Sequence, residues 1–386
     1  MKIEGLKNCS GCSACYSVCP ANAIKMSPDK EGFLFPQIDA GVCIKCHKCE
    51  KVCPVLNFSE SNDEIKTEAF ACINDDEKVR FESSSGGIFS SLAEKVLKAD
   101  GVVFGVKLDE NQKAVFGFTE TEEGLADFRG SKYVQAETGY AFVSCRKFLE
   151  EGRKVLFSGT PCQIAGLKSF LNRNYDNLLC VDIICHGVPS PELWQKYVEF
   201  REKKASSKTV KTAFRQKKYG WKLYSLSFTF QNNSEYSATL QKDPYLRLFL
   251  KDLCLRESCY NCTFKGLSRP SDLTIADFWG IQNEMPEMDD DKGTSLVFIH
   301  SRKGKEIFSQ LTNCRTQKID CNQGVKYNPS MIKSVSRPEK RDSFFKDLDS
   351  LDFEKLLKKY NHIPLIKRVK TFGGKCLRKI KSLVQK

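Results

Sequence analysis

The sequence predicts a mixed α/β protein, α+β in its later part, with a small cysteine-rich domain before it and a basic helical tail after it. Three observations support this prediction. Eight of the 19 cysteines lie within the first 53 residues. Between residues 68 and 188, apolar runs alternate with amphipathic stretches, as they do where strands and helices alternate. Residues 355–386 contain eleven Lys or Arg and no Asp or Glu.

The N-terminal cysteines form two copies of the motif C-x2-C-x2-C-x3-C-P, which is the pattern of bacterial ferredoxins. In that pattern the first three thiolates of a motif bind one cubane and the fourth binds the other cluster. We therefore expect a ferredoxin-like domain with two [4Fe-4S] clusters. The expected ligands are Cys9, Cys12, Cys15 and Cys53 for one cluster, and Cys43, Cys46, Cys49 and Cys19 for the other. A pair of zinc ribbons is the alternative, but a four-ligand zinc site does not need the third cysteine of each motif.

Length and composition limit what the rest of the chain can be. The 386 residues exceed one ferredoxin-like domain, and changes of pattern predict segments at 1–58, 66–188, 189–350 and 351–386, with an acidic linker at 59–64. We find no signal-peptide pattern and no apolar run of about 20 residues, so we expect a cytoplasmic protein with reduced cysteines. The net charge of +13 falls to +2 without the eleven cations of the tail, which argues against nucleic-acid binding.

Residues 68–188 show the alternation of elements most clearly. Ile88, Leu92 and Val96 recur at helical spacing. Further helices are expected at 139–150 and 161–171, and strands at 101–106, 114–118, 154–157 and 178–184. This order favours a sheet with parallel pairing. The section to about residue 350 mixes helices with alternating segments such as 223–230, so we expect an α+β lobe continuous with the first.

A loop rich in serine and glycine precedes the first of these helices. Ser83, Ser84 and Ser85, followed by Gly86 and Gly87, leave N–H groups at a helix N-terminus, which suits a phosphate or the edge of a flavin. The loop matches neither a Walker A motif nor G-x-G-x-x-G. An ordinary helix cap is therefore the alternative.

The segment 158–163 predicts a sharp turn from strand to helix. Thr160 suits the N-cap and Pro161 the first helical position, which places Cys162 in the first turn. The helix dipole favours a thiolate there. The sequence leaves three roles open for Cys162: cluster ligand, redox nucleophile, or a thiol packed beneath the loop.

A second cysteine set, C-x4-C-x2-C, occurs far along the chain at Cys254, Cys259 and Cys262. A cubane needs a fourth ligand, and Cys162 and Cys185 both follow predicted strands. The sequence does not decide between these two. A structural zinc site that includes His186 is the alternative.

Six segments in order resemble the coenzyme F420 hydrogenase/dehydrogenase beta-subunit family over about residues 68–320. They are Ser-Ser-Ser-Gly-Gly, Gly-Ser-Lys-Tyr-Val, Ser-Gly-Thr-Pro-Cys-Gln-Ile-Ala-Gly-Leu, Asp-Ile-Ile-Cys-His-Gly-Val-Pro-Ser, C-x4-C-x2-C and Ala-Asp-Phe-Trp-Gly-Ile. Two of them contain Lys132 and Asp277, which taken singly are lone charges beside aromatic residues. The resemblance implies FAD, a [4Fe-4S] cluster, and electron transfer between a two-electron donor or acceptor and iron–sulfur carriers.

The resemblance also implies roles for individual residues. The flavin contacts that it implies are Gly86, Gly87 and Lys132. Ser85 and Thr160, from the two loops described above, are further candidates for cofactor binding. The expected ligands of a third cluster are Cys254, Cys259 and Cys262 with Cys185 or Cys162. His186 is the candidate proton donor near the flavin, since an ordinary histidine pKa of about 6.5 suits that role; a packed loop histidine is the alternative. The resemblance identifies no substrate, and the deazaflavin coenzyme F420 is one candidate among others.

Two functions of different classes follow from these observations. The first is an iron–sulfur flavoprotein oxidoreductase that moves electrons between a two-electron substrate, through FAD, and iron–sulfur clusters or ferredoxin. The alternative is a non-catalytic, polyferredoxin-like electron-transfer subunit of a larger redox complex. The expected partners are a redox protein or ferredoxin and a small-molecule donor or acceptor.

Apolar residues interleave with the cations of the tail. Residues 355–386 are therefore expected either to lie on an anionic membrane surface at the inner face or to form a solvated terminus.

Overall fold

Helices and strands alternate along the part of the chain that the computed structural model describes, residues 1–58 and 65–361. The helices are α1 Ala14–Val18, α2 Lys48–Lys51, α3 Glu77–Glu82, α4 Ile88–Leu97, α5 Ala141–Glu150, α6 Pro161–Leu171, α7 Pro191–Ala205, α8 Pro244–Phe249, α9 Ile281–Glu284, α10 Arg302–Ser309, α11 Cys321–Lys326, α12 Arg341–Ser350 and α13 Phe353–Asn361. The strands are β1 Ile24–Pro28, β2 Leu34–Ile38, β3 Glu68–Asn74, β4 Val102–Leu108, β5 Ala114–Thr119, β6 Val155–Gly159, β7 Leu178–Ile183, β8 Thr209–Gln216, β9 Ser225–Phe230, β10 Glu235–Thr239, β11 Leu273–Asp277, β12 Ser295–Ile299 and β13 Cys314–Ile319.

An eight-stranded mixed sheet forms the centre of the large domain, in the order β13-β3-β12-β11-β7-β6-β4-β5. Its middle strands β4, β6, β7 and β11 run parallel to one another, and the remaining strands pair antiparallel. Strands from residues 68–183 and from residues 273–319 therefore share one sheet. The predicted mixed α/β fold with parallel pairing is confirmed.

Helices cover both faces of this sheet, because its strands are apolar on both sides. In β6, Val155 and Phe157 pack with the helices α5 and α6, while Leu156 packs on the opposite face with α4 and α10. The spacing that predicts α4 places Ile88, Leu92 and Val96 in that second core. Burial on both faces is what the continuous apolar runs of parallel strands require.

A second, antiparallel sheet of three strands, β10-β9-β8, lies in the later part of the chain. Its apolar side chains share a core with α7, α8, α12 and α13, built around the fully buried Trp194. Trp194 donates its indole N–H to the carbonyl of Gln112, 2.6 Å away, so its polar atom is satisfied.

The N-terminal domain consists of the β1–β2 hairpin and the short helices α1 and α2, and the tip of its hairpin inserts into the large domain. Phe33 is 1% exposed and belongs to the same core as Trp194. Glu31 forms a two-pronged ion pair with the buried Arg341 of α12, at 2.8 and 2.5 Å. Gly32 has φ +83, and a Cβ there would lie 2.6 Å from the backbone N of Glu192, so only glycine fits.

Arg256 connects the two domains from the other side. This side chain is 1% exposed, and its guanidinium donates to the carbonyls of Cys9, at 2.7 Å, and Leu34, at 3.1 Å. It also lies over the ring of Phe35, 4.0 Å from the centroid. A buried cation from the large domain therefore satisfies backbone carbonyls of the N-terminal domain.

Two predicted features fall wholly or largely outside the described residues. These are the linker at 59–64 and the tail beyond Asn361, so most of the segment 355–386, with its expected membrane contact, lies outside the described residues. Across residues 1–58 and 65–361, none of the helices combines the length and the apolar character needed to cross a membrane.

Replacing Arg256 by Met is expected to lower the free energy of unfolding by about 2–4 kcal/mol, because two partly buried carbonyls lose their donors. Urea unfolding measures the loss, and hydrogen exchange of residues 1–58 locates it in the N-terminal domain. Arg337→Met is the control, since Arg337 is 35% exposed and its ion pairs are expected to contribute at most about 1 kcal/mol. Equal losses in the two variants would contradict the role of Arg256.

Candidate functional site

The candidate site lies at the carboxyl ends of the parallel strands β6 and β7. Thr160 and Cys162 follow β6, and Cys185 and His186 follow β7. The register pairs Gly159 with Asp182, which brings both loops to one edge of the sheet. Open α/β sheets bind their ligands at this edge.

Four cysteines line one cavity at this edge: Cys162, Cys185, Cys259 and Cys262. The cavity is partly open to solvent. Cys162 and Cys185, the two candidates for the fourth ligand that the sequence leaves open, therefore line the same cavity. Within residues 1–58 and 65–361, no group of three or more His, Cys, Asp or Glu side chains converges closely enough to hold a single metal ion.

Cys254, the remaining cysteine of the C-x4-C-x2-C set, is not among the residues that line this cavity. It has no exposed surface and packs in the hydrophobic core that contains Tyr245 and Leu246. Its carbonyl accepts from the N–H of Ser190 at 2.9 Å, and the next residue forms a β-bridge with Pro189. The backbone pairing that begins here holds Cys254 in the core.

Burial raises the pKa of three of the thiols that line the cavity. The pKa of Cys259 rises to about 12, and those of Cys162 and Cys185 also lie above the ordinary thiol value. A redox nucleophile needs a lowered pKa, so this environment does not suit that role for Cys162. The same environment is compatible with metal coordination by Cys162, because a bound metal deprotonates its thiol ligands.

The N-terminal domain contains two further cavities lined by cysteines. Among the residues that line the first are Cys9, Cys12, Cys15 and Cys53. Among those that line the second are Cys19, Cys43, Cys46 and Cys49. The fourth cysteine of each motif thus lies with the first three cysteines of the other.

The first of these cavities adjoins the four-cysteine cavity of the large domain. Ser10 and Gly11 line both. Cys12 packs against α6, where a Cβ on Gly166 would lie 2.9 Å from both the Cβ and the Sγ of Cys12. The helix that begins with Cys162 at its first turn therefore also supports Cys12.

His186 lies in the wall of the four-cysteine cavity and is hydrogen-bonded on both ring nitrogens. Its Nε2 is 2.5 Å from Asp252 Oδ1, and its Nδ1 is 3.3 Å from Ser330 Oγ. Its ring stands edge-on to Phe249, which stacks on Tyr133 with centroids 4.8 Å apart. Sequence reasoning missed Asp252 because it lies 66 residues from His186.

The structure places the serine and glycine loop at the start of α4, as predicted, but many of its polar atoms already have protein partners. Ser85 Oγ donates to the carbonyl of Thr294 at 2.8 Å, and Gly86 N–H donates to Ser295 Oγ at 2.9 Å. A Cβ on Gly86 would lie 2.3 Å from the carbonyl oxygen of Cys72. Gly87 is the N-cap with φ +89. Gly86 and Gly87 are therefore required by the packing and the backbone conformation of this loop, independently of any ligand.

The two remaining predicted flavin residues lie in different surroundings. Lys132 adjoins the serine loop, since the neighbouring Ser131 N–H donates to Ser84 Oγ at 2.7 Å. Its ammonium donates to the carbonyls of Asp127 and Arg129, and burial lowers its pKa to about 7. Thr160 instead lines the four-cysteine cavity as the N-cap of α6.

Arg215 joins three of the segments that the sequence singles out. Its guanidinium pairs with Asp277 at 2.7 and 3.0 Å, donates to Tyr133 Oη at 2.9 Å, and reaches the carbonyl of Ser84 at 3.3 Å. The side chain is 6% exposed. Asp277 also accepts from the indole of Trp221 at 2.6 Å. Arg215 carries no local sequence signal, which is why sequence reasoning missed it.

Buried polar residues support the floor of the four-cysteine cavity. Arg269, which lines it, lies 3.7 Å from the Asp182 carboxylate. Asp182 accepts from Thr274 Oγ1 at 2.5 Å, and that hydroxyl is 2.9 Å from Nε2 of His300. Burial raises the pKa of Asp182 to about 6, and burial, with a smaller contribution from Arg269, lowers that of His300 to about 3.

Comparison with known proteins gives matches over most of the chain. Residues 69–141 and 152–320 match the N-terminal and C-terminal regions of the coenzyme F420 hydrogenase/dehydrogenase beta subunit, and residues 8–57 match a 4Fe-4S dicluster domain. One similar solved structure is a chain of the F420-reducing [NiFe] hydrogenase complex from Methanosarcina barkeri, at 16% identity and a TM-score of 0.46. That match covers 82% of this chain and 96% of the other. No curated protein matches the sequence significantly.

Gly166→Ala is expected to reduce bound iron by about four atoms per chain, because the added methyl group collides with Cys12. In a helix without such a contact, the same change from glycine to alanine would instead stabilise the helix by about 1 kcal/mol. Iron analysis of protein purified without oxygen measures the effect. Lys168→Ala, an exposed change in the same helix, is the control and is expected to keep its iron. Full iron in Gly166→Ala would contradict the contact.

The burial of His300 is expected to lower the free energy of unfolding in acid. The unfolded chain protonates this histidine below pH 6.5, whereas the folded protein resists protonation down to about pH 3. The contribution of His300 to the free energy of unfolding is therefore complete above pH 6.5 and is smaller by about 2 kcal/mol at pH 5. Urea unfolding at pH 7.5 and 5.0 should show this loss in the native protein and not in His300→Gln. Equal pH dependence in both would contradict the burial of a neutral imidazole.

Proposed function

Because the chain belongs to the coenzyme F420 hydrogenase/dehydrogenase beta-subunit family and begins with a 4Fe-4S dicluster domain, we propose that it is an iron–sulfur flavoprotein oxidoreductase. It exchanges electrons between a two-electron small molecule, through FAD, and a series of [4Fe-4S] clusters. The observation that carries this proposal is the four-cysteine cavity of the large domain, which shares Ser10 and Gly11 with the first N-terminal cavity.

The eight N-terminal cysteines fit two cubanes in the crossed arrangement. Each of their two cavities is lined by three cysteines of one motif and the fourth of the other. This is the ligand set that bacterial-type motifs use.

A third cluster is proposed at Cys162, Cys185, Cys259 and Cys262. Four thiols distributed around one cavity suit a multi-atom cluster, and the set needs neither Cys254 nor His186 as a ligand. Lys265 and Arg269 also line the cavity, and their positive charges lower the pKa of Cys185 against the larger effect of burial. Cations of this kind compensate the negative charge that four thiolates bring into a buried site.

The three cavities form a series through the molecule. The four-cysteine cavity lies at the sheet edge, and the first N-terminal cavity adjoins it. Among the residues that the structure describes, the second N-terminal cavity is lined only by residues from Met1 to Cys49 and by none of the large domain. A series of this kind is what a chain of one-electron carriers requires.

FAD is proposed beside the serine and glycine loop. When bound, it exchanges a hydride with an organic substrate and single electrons with an iron–sulfur cluster. The start of α4 and Lys132 offer positive electrostatic potential to an anionic group, and an adjacent phosphate would hold Lys132 in its charged form. Arg215 holds this region rigid, and its Nε is buried without a hydrogen-bond partner.

The ring contacts link this proposed flavin region to the four-cysteine cavity. Tyr133, the residue after Lys132, stacks on the ring of Phe249. Phe249 in turn contacts the ring of His186, which lies in the cavity wall. His186 is proposed to supply a proton near the flavin, with Asp252 orienting its imidazole through the bond to Nε2. Asp252 acts as a positioning residue in this proposal.

The proposed ligand set is tested by counting iron, sulfide, zinc and flavin per chain in protein purified without oxygen. The native protein is expected to contain about twelve irons and one FAD. Cys185→Ala and Cys162→Ala should each lower the count to about eight irons. Cys254→Ala is the matched control, because it removes a thiol from the same sequence set without touching the cavity, and should retain about twelve.

Different results would contradict different parts of the proposal. Loss of four irons in Cys254→Ala but not in Cys185→Ala would overturn the ligand set. About eight irons with zinc and no flavin in the native protein would overturn the flavoprotein function itself.

A further inference from the structure

The loop that carries Cys43 and Cys46 exposes both apolar and basic side chains. Ile44 is 65% exposed and Val42 is 48% exposed, which is unusual for aliphatic residues in so small a domain. The loop and the helix α2 that follows also expose Lys45, His47, Lys48 and Lys51. We call these six residues the basic face.

The basic face covers the cavity most distant from the large domain. Ile44, Cys46 and Lys48 line that cavity, and Cys46 is exposed, whereas Cys12 of the adjoining motif is buried. A redox centre held there would therefore have one ligand, Cys46, at the protein surface. A partner that exchanges electrons with this protein can approach that ligand directly.

The positive charge of this face is not compensated within the described part of the chain. None of Lys45, Lys48 and Lys51 forms an ion pair there. The nearby carboxylate of Glu50 already accepts from the backbone N–H of Lys2 at 2.7 Å and lies 3.2 Å from His47 Nδ1. Asp39 accepts from the N–H of Gly41 at 2.9 Å. Both acids are engaged within the domain, so the lysines stay available to an external anion.

The backbone holds this face in a fixed shape. Lys45 has φ 54 and His47 has φ 57, so two non-glycine residues flank Cys46 in the left-handed region. This conformation is unfavourable for a residue with a side chain and persists only where the surroundings impose it. A rigid loop of this kind presents its lysines without an ordering cost on binding.

We propose that the basic face is the docking surface for the acidic face of a small electron-carrier protein. This inference rests on the proposed electron-transfer function. Exposed Ile44 and Val42 form an apolar centre, and the lysines form a charged rim that steers an oppositely charged partner. An acidic carrier fits better than an anionic membrane, because only the carrier brings a redox centre against Cys46.

The step that follows docking is the transfer of one electron. The reduced carrier loses the electron and is oxidised, and this protein gains it. No bond forms or breaks and no proton is needed. The reverse transfer uses the same surface.

The test measures complex formation separately from electron transfer. The probe is a purified bacterial 2[4Fe-4S] ferredoxin of strongly negative net charge, added in its oxidised form to the iron-loaded protein. Isothermal titration calorimetry at low and high salt gives the affinity, and stopped-flow reduction by the reduced probe gives the rate.

The variant is Lys45→Glu/Lys51→Glu, which leaves the cavity lining intact. Lys95→Glu/Lys98→Glu, at the C-terminal end of α4 and directly after it, is the control with the same charge change.

Docking at the basic face is expected to weaken at least about tenfold in the Lys45→Glu/Lys51→Glu variant at low salt, in both affinity and rate. The control pair should stay within about twofold of the native protein. The native affinity should fall as salt rises, because the Debye length shortens. Reduction by dithionite, which needs no docking, should be equal in all three proteins.

Besides unchanged binding in the Lys45→Glu/Lys51→Glu variant, three results would overturn the proposal. They are equal weakening by both variants, an affinity that does not depend on salt, and binding to vesicles of anionic lipid without binding to the ferredoxin. Failure of the proposed function gives a different result, namely about eight irons with zinc and no flavin in the native protein, which the iron and flavin counts detect independently of docking. Normal bleaching with unchanged binding in Lys45→Glu/Lys51→Glu would refute the docking surface alone.

Discussion

The buried Arg256 is the interaction on which the relative placement of the two domains depends. Its guanidinium comes from the segment between Cys254 and Cys259 and ends on the carbonyls of Cys9 and Leu34. The cost of burying a cation is offset because it satisfies carbonyls that would otherwise lack donors. One side chain thus couples the backbone of a cysteine motif in the small domain to a cysteine set in the large one.

This coupling explains why the small domain does not behave as a tethered module. Phe33 completes the core around Trp194, Glu31 neutralises the buried Arg341, and Gly166 gives Cys12 the room to lie against α6. Each contact constrains the position of the N-terminal cysteines relative to Cys162. Electron transfer between cofactors depends steeply on distance, so a fixed junction serves the proposed function better than a flexible linker.

The sequence predicts much of the fold because local signals and tertiary packing agree. Apolar spacing and the Thr160–Pro161 start predict α4 and α6, and the cysteine motifs predict which N-terminal thiols share a cavity. Sequence spacing alone groups Cys254 with Cys259 and Cys262, but long-range pairing with residues 188–190 places Cys254 in the core. The choice between Cys162 and Cys185 stays open in the sequence, since only the pairing of β6 with β7 shows that both reach one cavity. Arg215 and Arg256 act through tertiary contacts and leave no local pattern.

The central claim is that a third cluster lies beside the first. Electron paramagnetic resonance of the fully reduced protein at cryogenic temperature tests this most directly, because neighbouring paramagnetic clusters broaden and split one another's signals. We expect about three spins per chain, one from each cubane, with an interaction that simplifies in Cys185→Ala to that of the N-terminal pair. About two spins per chain in the native protein, with a spectrum unchanged by Cys185→Ala, would contradict it.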